Sequence, residues 1–115
     1  MQQNQDNTNS NNNNSYAVGP RSTTGVQVVE AKGNAEREKG DFIGALQTFN
    51  RLVHIREHHL TTAPYSSPMD VAHAHRKTAD VLNKIVHKLN NANEALIQKY
   101  KTESEKHMIR STELS

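Results

Sequence analysis

The side chains best equipped for chemistry in this 115-residue chain lie in His54-Ile55-Arg56-Glu57-His58. On a helix, His54 and His58 stand one turn apart on the same face. This is the H-x-x-E-H order in which two imidazoles hold zinc and a carboxylate activates its water. A working zinc hydrolase also needs a third protein ligand and a cleft around the reacting groups. A chain this short and polar has little material for that cleft. His59, His73 and His75 add imidazoles for weak metal binding, yet histidines on a solvated helix face account for the same pattern. The expectation is no catalytic residue, no cofactor and no assigned metal ligand, with a metal-binding or metallohydrolase-like protein at His54 and His58 as the alternative.

Lysine and arginine offer a second chemistry. Lys84, Lys88, Lys99, Lys101, Lys106 and Arg110 can meet phosphates, and the formal net charge is +2. No aromatic stacking set accompanies them, since the chain has two Phe, three Tyr and no Trp, and neither a zinc module nor a recognition helix is readable. Basic and acidic residues are interleaved, as on solvated helix faces. A basic nucleic-acid-binding helical protein is therefore a minor alternative. With no cysteine there is no disulfide framework and no thiolate nucleophile, which fits a reducing compartment. The cytoplasm is the expected location, with the nucleus or cytoskeleton as alternatives. No apolar run approaches the 18 or so residues of a membrane span, and no secretion signal is readable.

The elements that must position these groups are helices. Residues 1–23 are rich in Asn and Gln and too poor in apolar groups to offset the entropy of ordering, so a disordered tail is expected. A helical domain over 24–110 and a flexible end over 111–115 follow. Gly19-Pro20 marks a linker, and Ser22, Thr23 or Thr24 is placed to cap a first helix over Gly25 to Lys39. Its apolar stripe is Val28 or Val29, Ala31 and Ala35. Gly33 in its middle costs about 1 kcal/mol relative to Ala and predicts a close helix crossing.

Gly40-Asp41 ends that helix and caps the next, which runs to about Leu60 with Phe42, Ala45, Leu46, Phe49, Leu52 and Val53 on one face. After a loop containing Pro64, Ser67-Pro68 starts a third helix reaching about Leu89. Val71, Ala74 or His75, Thr78, Leu82, Ile85 and Leu89 form its stripe. Asn90-Asn91 is a plausible break. A fourth helix, from Ala92 to about Met108, carries Ala95, Leu96 and Tyr100 and then becomes very polar over Thr102 to Lys106, where it is expected to project into solvent or fray. The expected fold is all-α, about four helices in two antiparallel hairpins. Its core is Val29, Gly33, Phe42, Ala45, Phe49, Leu52, Leu82, Ile85, Leu89 and Leu96.

The run Gly33-x6-Gly40-Asp41-Phe42-x2-Ala45-x3-Phe49-x2-Leu52 resembles the tetratricopeptide repeat, with a small residue in the first helix, a Gly-Asp-aromatic turn, then a small residue and an aromatic in the second. Val29 to Ile55 carries the match. Glu36 stands where the family usually has a large apolar residue. The second hairpin follows the motif at Ala79, Leu82, Val86, Ala92 and Ala95, with Asn83 and Lys99 departing from it. Ala45 and Ala95 are 50 residues apart, and Pro68-Met69-Asp70-Val71-Ala72 looks like the entry to the extended repeats of kinesin light chains.

In that family the inner surface of the first helices binds extended peptides. The resemblance places Asn34 and Arg37 from the first hairpin, and Lys77, Asp80, Lys84 and His87 from the second, on this surface. Two repeats are fewer than the three that usually stand alone. The resemblance thus implies a non-enzymatic adaptor or assembly subunit whose partner is another protein, a peptide, a larger multiprotein assembly or a second copy of itself.

Overall fold

Four helices form in the computed structural model, which describes residues 23–89 and 93–115. They are α1 (Thr23–Glu38), α2 (Phe42–His58), α3 (Pro68–Leu89) and α4 (Glu94–Leu114). Each helix packs on the next, so α1–α2 and α3–α4 are antiparallel hairpins joined through α2 and α3. The expected all-α pair of hairpins is what the chain forms. The Asn/Gln-rich tail, the Gly19-Pro20 linker, the Ser22 cap and the Asn90-Asn91 break lie outside the described residues.

Local chemistry sets the helix ends. Gly40 has a φ of +84°, which glycine adopts without a Cβ penalty. Its N–H reaches Arg37 O at 3.0 Å while Asp41 N–H reaches Glu36 O at 2.9 Å, the double closure of a glycine-terminated helix. Asp41 Oδ1 then accepts from Gly44 N–H at 3.0 Å, capping α2 three residues after α1 ends. At the start of α3, Ser67 Oγ accepts from Asp70 N–H at 3.1 Å and Asp70 Oδ2 accepts from Ser67 N–H at 3.4 Å, a reciprocal capping box around Pro68. Asn93 caps α4 through Leu96 N–H at 3.2 Å.

The core centres on α2 and α3. Ala45, Phe49, Leu52, Val71, Val81 and Leu82 are fully enclosed, and Ile85 is buried beside them. Val29, Phe42 and Leu89 pack against this core from its edge. Gly33 is buried because the Phe49 ring occupies the space of its missing side chain: a Cβ there would lie 2.7 Å from Phe49 Cδ1. The ring is enclosed and cannot retreat. Gly33→Ala is therefore expected to destabilise the chain by about 1–3 kcal/mol through overpacking, despite alanine's better helix propensity. Urea unfolding followed by circular dichroism would measure it, and a gain in stability would show that the crossing is loose.

Three sequence expectations need correction. On α1 the buried side is Val26, Val29 and Gly33, while Val28, Ala31 and Ala35 face solvent. The helix is rotated so that its glycine, not its alanines, meets Phe49. On α4, Ile97 takes the buried place expected for Leu96, which is half-buried, and Ala95 is exposed. Finally, α4 does not end near Met108. It continues to Leu114, through residues expected to be a flexible end, and it stays docked through the polar stretch. Ile97, Ser104 and Ser111, seven residues apart, are its buried positions. Small seryl side chains let α4 approach α3 closely, and Ser104 Oγ donates to Ala79 O at 3.5 Å. At Ser104 the polar run thus packs without stranding the hydroxyl.

Candidate partner-binding face

Five of the six residues that the tetratricopeptide resemblance implicates belong to two sets of side-chain contacts that link α1 to α3 beside Phe49. Lys77 Nζ donates to Asn34 Oδ1 at 3.1 Å and lies 3.7 Å from Glu30. Arg37 pairs with Asp80 at 3.6 Å, and Asp80 faces Lys84 at 3.9 Å. Arg37 and Lys77 sit on the Phe49 ring, each 5.9 Å from its centroid, at the outer limit of a cation–π contact. His87 is exposed one turn beyond Lys84 on α3. The buried ring is a rigid floor, and the charged groups above it come from both hairpins.

The sequence reading missed the rest of this face. Arg56 of α2 lies 3.8 Å from both Glu30 of α1 and Asp70 of α3, joining three helices. The spacing held a clue, since Glu30, Asn34 and Arg37 fall four and three residues apart on α1. Each cation on the face has a carboxylate beside it, but Arg37, Lys77, Lys84 and Arg56 share only Glu30, Asp80 and Asp70, so the surface keeps a positive excess in exchangeable pairs. Such pairs contribute little to stability when exposed, and a partner's carboxylate or amide can replace them at small cost.

Glu36, which departs from the family pattern, forms a polar link inside the first hairpin. Its Oε1 accepts from Thr48 Oγ1 at 2.6 Å, and Lys32 pairs with its other oxygen at 3.1 Å. A hydroxyl on α2 thus meets a carboxylate on α1 at the position where the family usually has a large apolar residue.

The histidine cluster is dispersed. His54, His58 and His73 are exposed, and buried His59 shares a hydrogen bond with Thr62 O at 2.8 Å in the loop after α2. Glu57, the carboxylate of the H-x-x-E-H run, turns away from His54 and His58 into the α2–α3–α4 junction. There it accepts from Arg110 Nε at 2.8 Å, Arg110 Nη2 at 2.9 Å and His75 Nε2 at 2.6 Å. The Arg110 hydrogen bonds lead, and they hold the Glu57 carboxyl down at about 2, against the opposing effect of burial. His75 Nδ1 meets His107 Nδ1 at 2.7 Å. Burial first, and the nearby His75 second, push His107 down to about 4. Among the described residues no group of three or more His, Cys, Asp or Glu is arranged to hold a metal ion.

Three of the basic residues weighed for nucleic acid are engaged within the chain. Lys84 pairs with Asp80, Lys88 lies 5.2 Å over the Phe42 ring, and Arg110 is committed to Glu57. Apolar groups are exposed elsewhere, notably Met108 and Ile109 beside Asn83 and Lys101 along an open groove between α3 and α4. Among the described residues no helix is long and apolar enough to cross a membrane. No protein-family model, curated protein or solved structure matches this chain.

Proposed function

We propose that this chain is a non-enzymatic interaction module, a tetratricopeptide-like adaptor or assembly subunit, that binds an extended segment of another protein across the α1–α3 face. One observation carries the reading: Asn34, Arg37, Lys77, Asp80 and Lys84, from two successive hairpins, form side-chain contacts that link α1 to α3, with Arg37 and Lys77 at the Phe49 ring. The Gly33–Phe49 crossing supports the tetratricopeptide-like element, because it supplies the close approach that the small-residue pattern requires. Asn34 and Lys77 offer paired donors and acceptors for a peptide backbone, while Arg37 and Lys84 flank Asp80 and suit a segment with acidic side chains. Exposed Met108 and Ile109 suit a chain that works inside a larger assembly in the cytoplasm.

Lys84→Glu is the cleanest test, because its contact to Asp80 is long and half-exposed, so reversal should leave folding intact. An array of acidic extended peptides, read by fluorescence anisotropy, should yield binders whose affinity falls about tenfold in the variant, the loss of one charge-assisted contact. Equal affinity for both proteins, with unchanged thermal unfolding, would remove this face from consideration.

A further inference from the structure

We propose that His75 and His107 form a one-proton latch that seats the middle of α4 on α3 at neutral pH and loosens it on acidification. Their Nδ1 atoms are 2.7 Å apart, a hydrogen-bond distance with room for a single hydrogen. His75 is committed on its other side, where Nε2 donates to Glu57 Oε2 at 2.6 Å. If His75 is neutral, its Nδ1 is an acceptor and His107 Nδ1–H donates to it. If His75 is cationic, its Nδ1–H donates and a neutral His107 accepts. Either way one hydrogen lies on the line between the rings. A neutral pair can take its next proton on the outer Nε2 of His107 with that hydrogen in place. A doubly cationic pair would set two N–H bonds head to head, so His107 must leave the contact once both rings are protonated.

The charged surroundings decide which group yields. Glu57 faces the pair from α2 and His75 from α3. On α4 itself Arg110 follows His107 by three residues, Glu113 pairs with Arg110 at 3.3 Å, and Glu103 lies one turn before His107. Glu57 is saturated by three charge-assisted bonds and stays ionised throughout mild acid. Its clamp on Arg110 therefore holds while His107 takes up a proton, and Arg110 adds positive charge that disfavours a cationic His107 in place. His107 is only half-buried and has solvent to turn into. Loosening is then confined to the turns around His107 and Ser104, uncovering the Ala79 side of α3.

The whole chain can be tested by NMR, following each imidazole through a pH titration and amide hydrogen exchange at pH 7 and pH 5. His107 should titrate well below the ordinary histidine value of 6.5. Exchange protection of the amides of 104–111, corrected for intrinsic rate, should fall about tenfold at pH 5 relative to those of α2. His107→Asn keeps an amide near the Nδ1 position without a titrating proton, and should retain protection at pH 7 and show no such fall. A His107 that titrates near 6.5 in the unmodified chain would overturn the proposal whatever the variant does. So would a fall of equal size in His107→Asn.

Discussion

Phe49→Ala should lower the unfolding free energy by about 3–5 kcal/mol, the usual loss for emptying an enclosed aromatic site. Phe49 is 0% exposed, its ring fills the notch at Gly33, and Leu52, Ala45 and Leu82 are enclosed in the same core. The site cannot collapse easily, because α1 has no side chain at Gly33 to fall into the cavity. Natural domains are stable by only about 5–15 kcal/mol, so most of the margin of so small a core would go. Phe42→Ala should cost less, about 1–2 kcal/mol, since that ring is half-buried at the hairpin edge under Lys88. Urea denaturation of both variants gives the comparison. Equal losses, or a Phe49 loss below about 1 kcal/mol, would show that the Gly33 crossing does not organise the fold. The same substitution removes the floor under Arg37 and Lys77, so any partner affinity at the α1–α3 face should fall with it.

The organising hairpin was legible because its signals are local. Gly40, Asp41 and the 42-45-49-52 pattern each act within a few residues, and Gly33 is costly enough in a helix to demand a packing reason. The rotation of α1 was hidden for the opposite reason. Ala31 and Ala35 look apolar by type, but only the partner ring decides which face turns inward. Ser104 falls in a stretch whose polarity predicts exposure and Ser111 in the expected flexible end, whereas the seven-residue spacing of Ile97, Ser104 and Ser111 is the better guide to burial. Asn34, Arg37, Lys77, Asp80, Lys84 and His87 came from a resemblance, and the hydrogen bond and ion pairs among five of them depend on side chains reaching between α1 and α3, which are far apart in sequence. The Glu57–Arg110 clamp spans 53 residues. No local spacing announces such a pair.

That clamp sets the second large effect. Glu57→Ala should cost about 2–3 kcal/mol, because it removes three charge-assisted bonds and leaves Arg110 and His75 facing each other at the junction of three helices. The figure is below that of a fully buried pair because the Glu57 and Arg110 side chains remain 30% and 38% exposed, so water screens part of the interaction. A double-mutant cycle with Arg110→Ala should return a coupling of about 1–2 kcal/mol; a coupling near zero would mean the two side chains do not hold α4 to α2. Acid unfolding separates this clamp from the histidine pair. The Glu57 carboxyl is lowered from 4.5 to about 2 in the folded chain, so its contribution is complete above 4.5 and disappears as pH falls toward 2. His107 is lowered from 6.5 to about 4, so between those values the unfolded chain binds more protons and stability also falls with acid, in a higher window. Glu57→Gln should flatten the lower window and leave the upper one, whereas His107→Asn should do the reverse. If one substitution erased both windows, the carboxylate and the imidazoles would be a single titrating unit, and α4 would be held by one acid-sensitive joint instead of two.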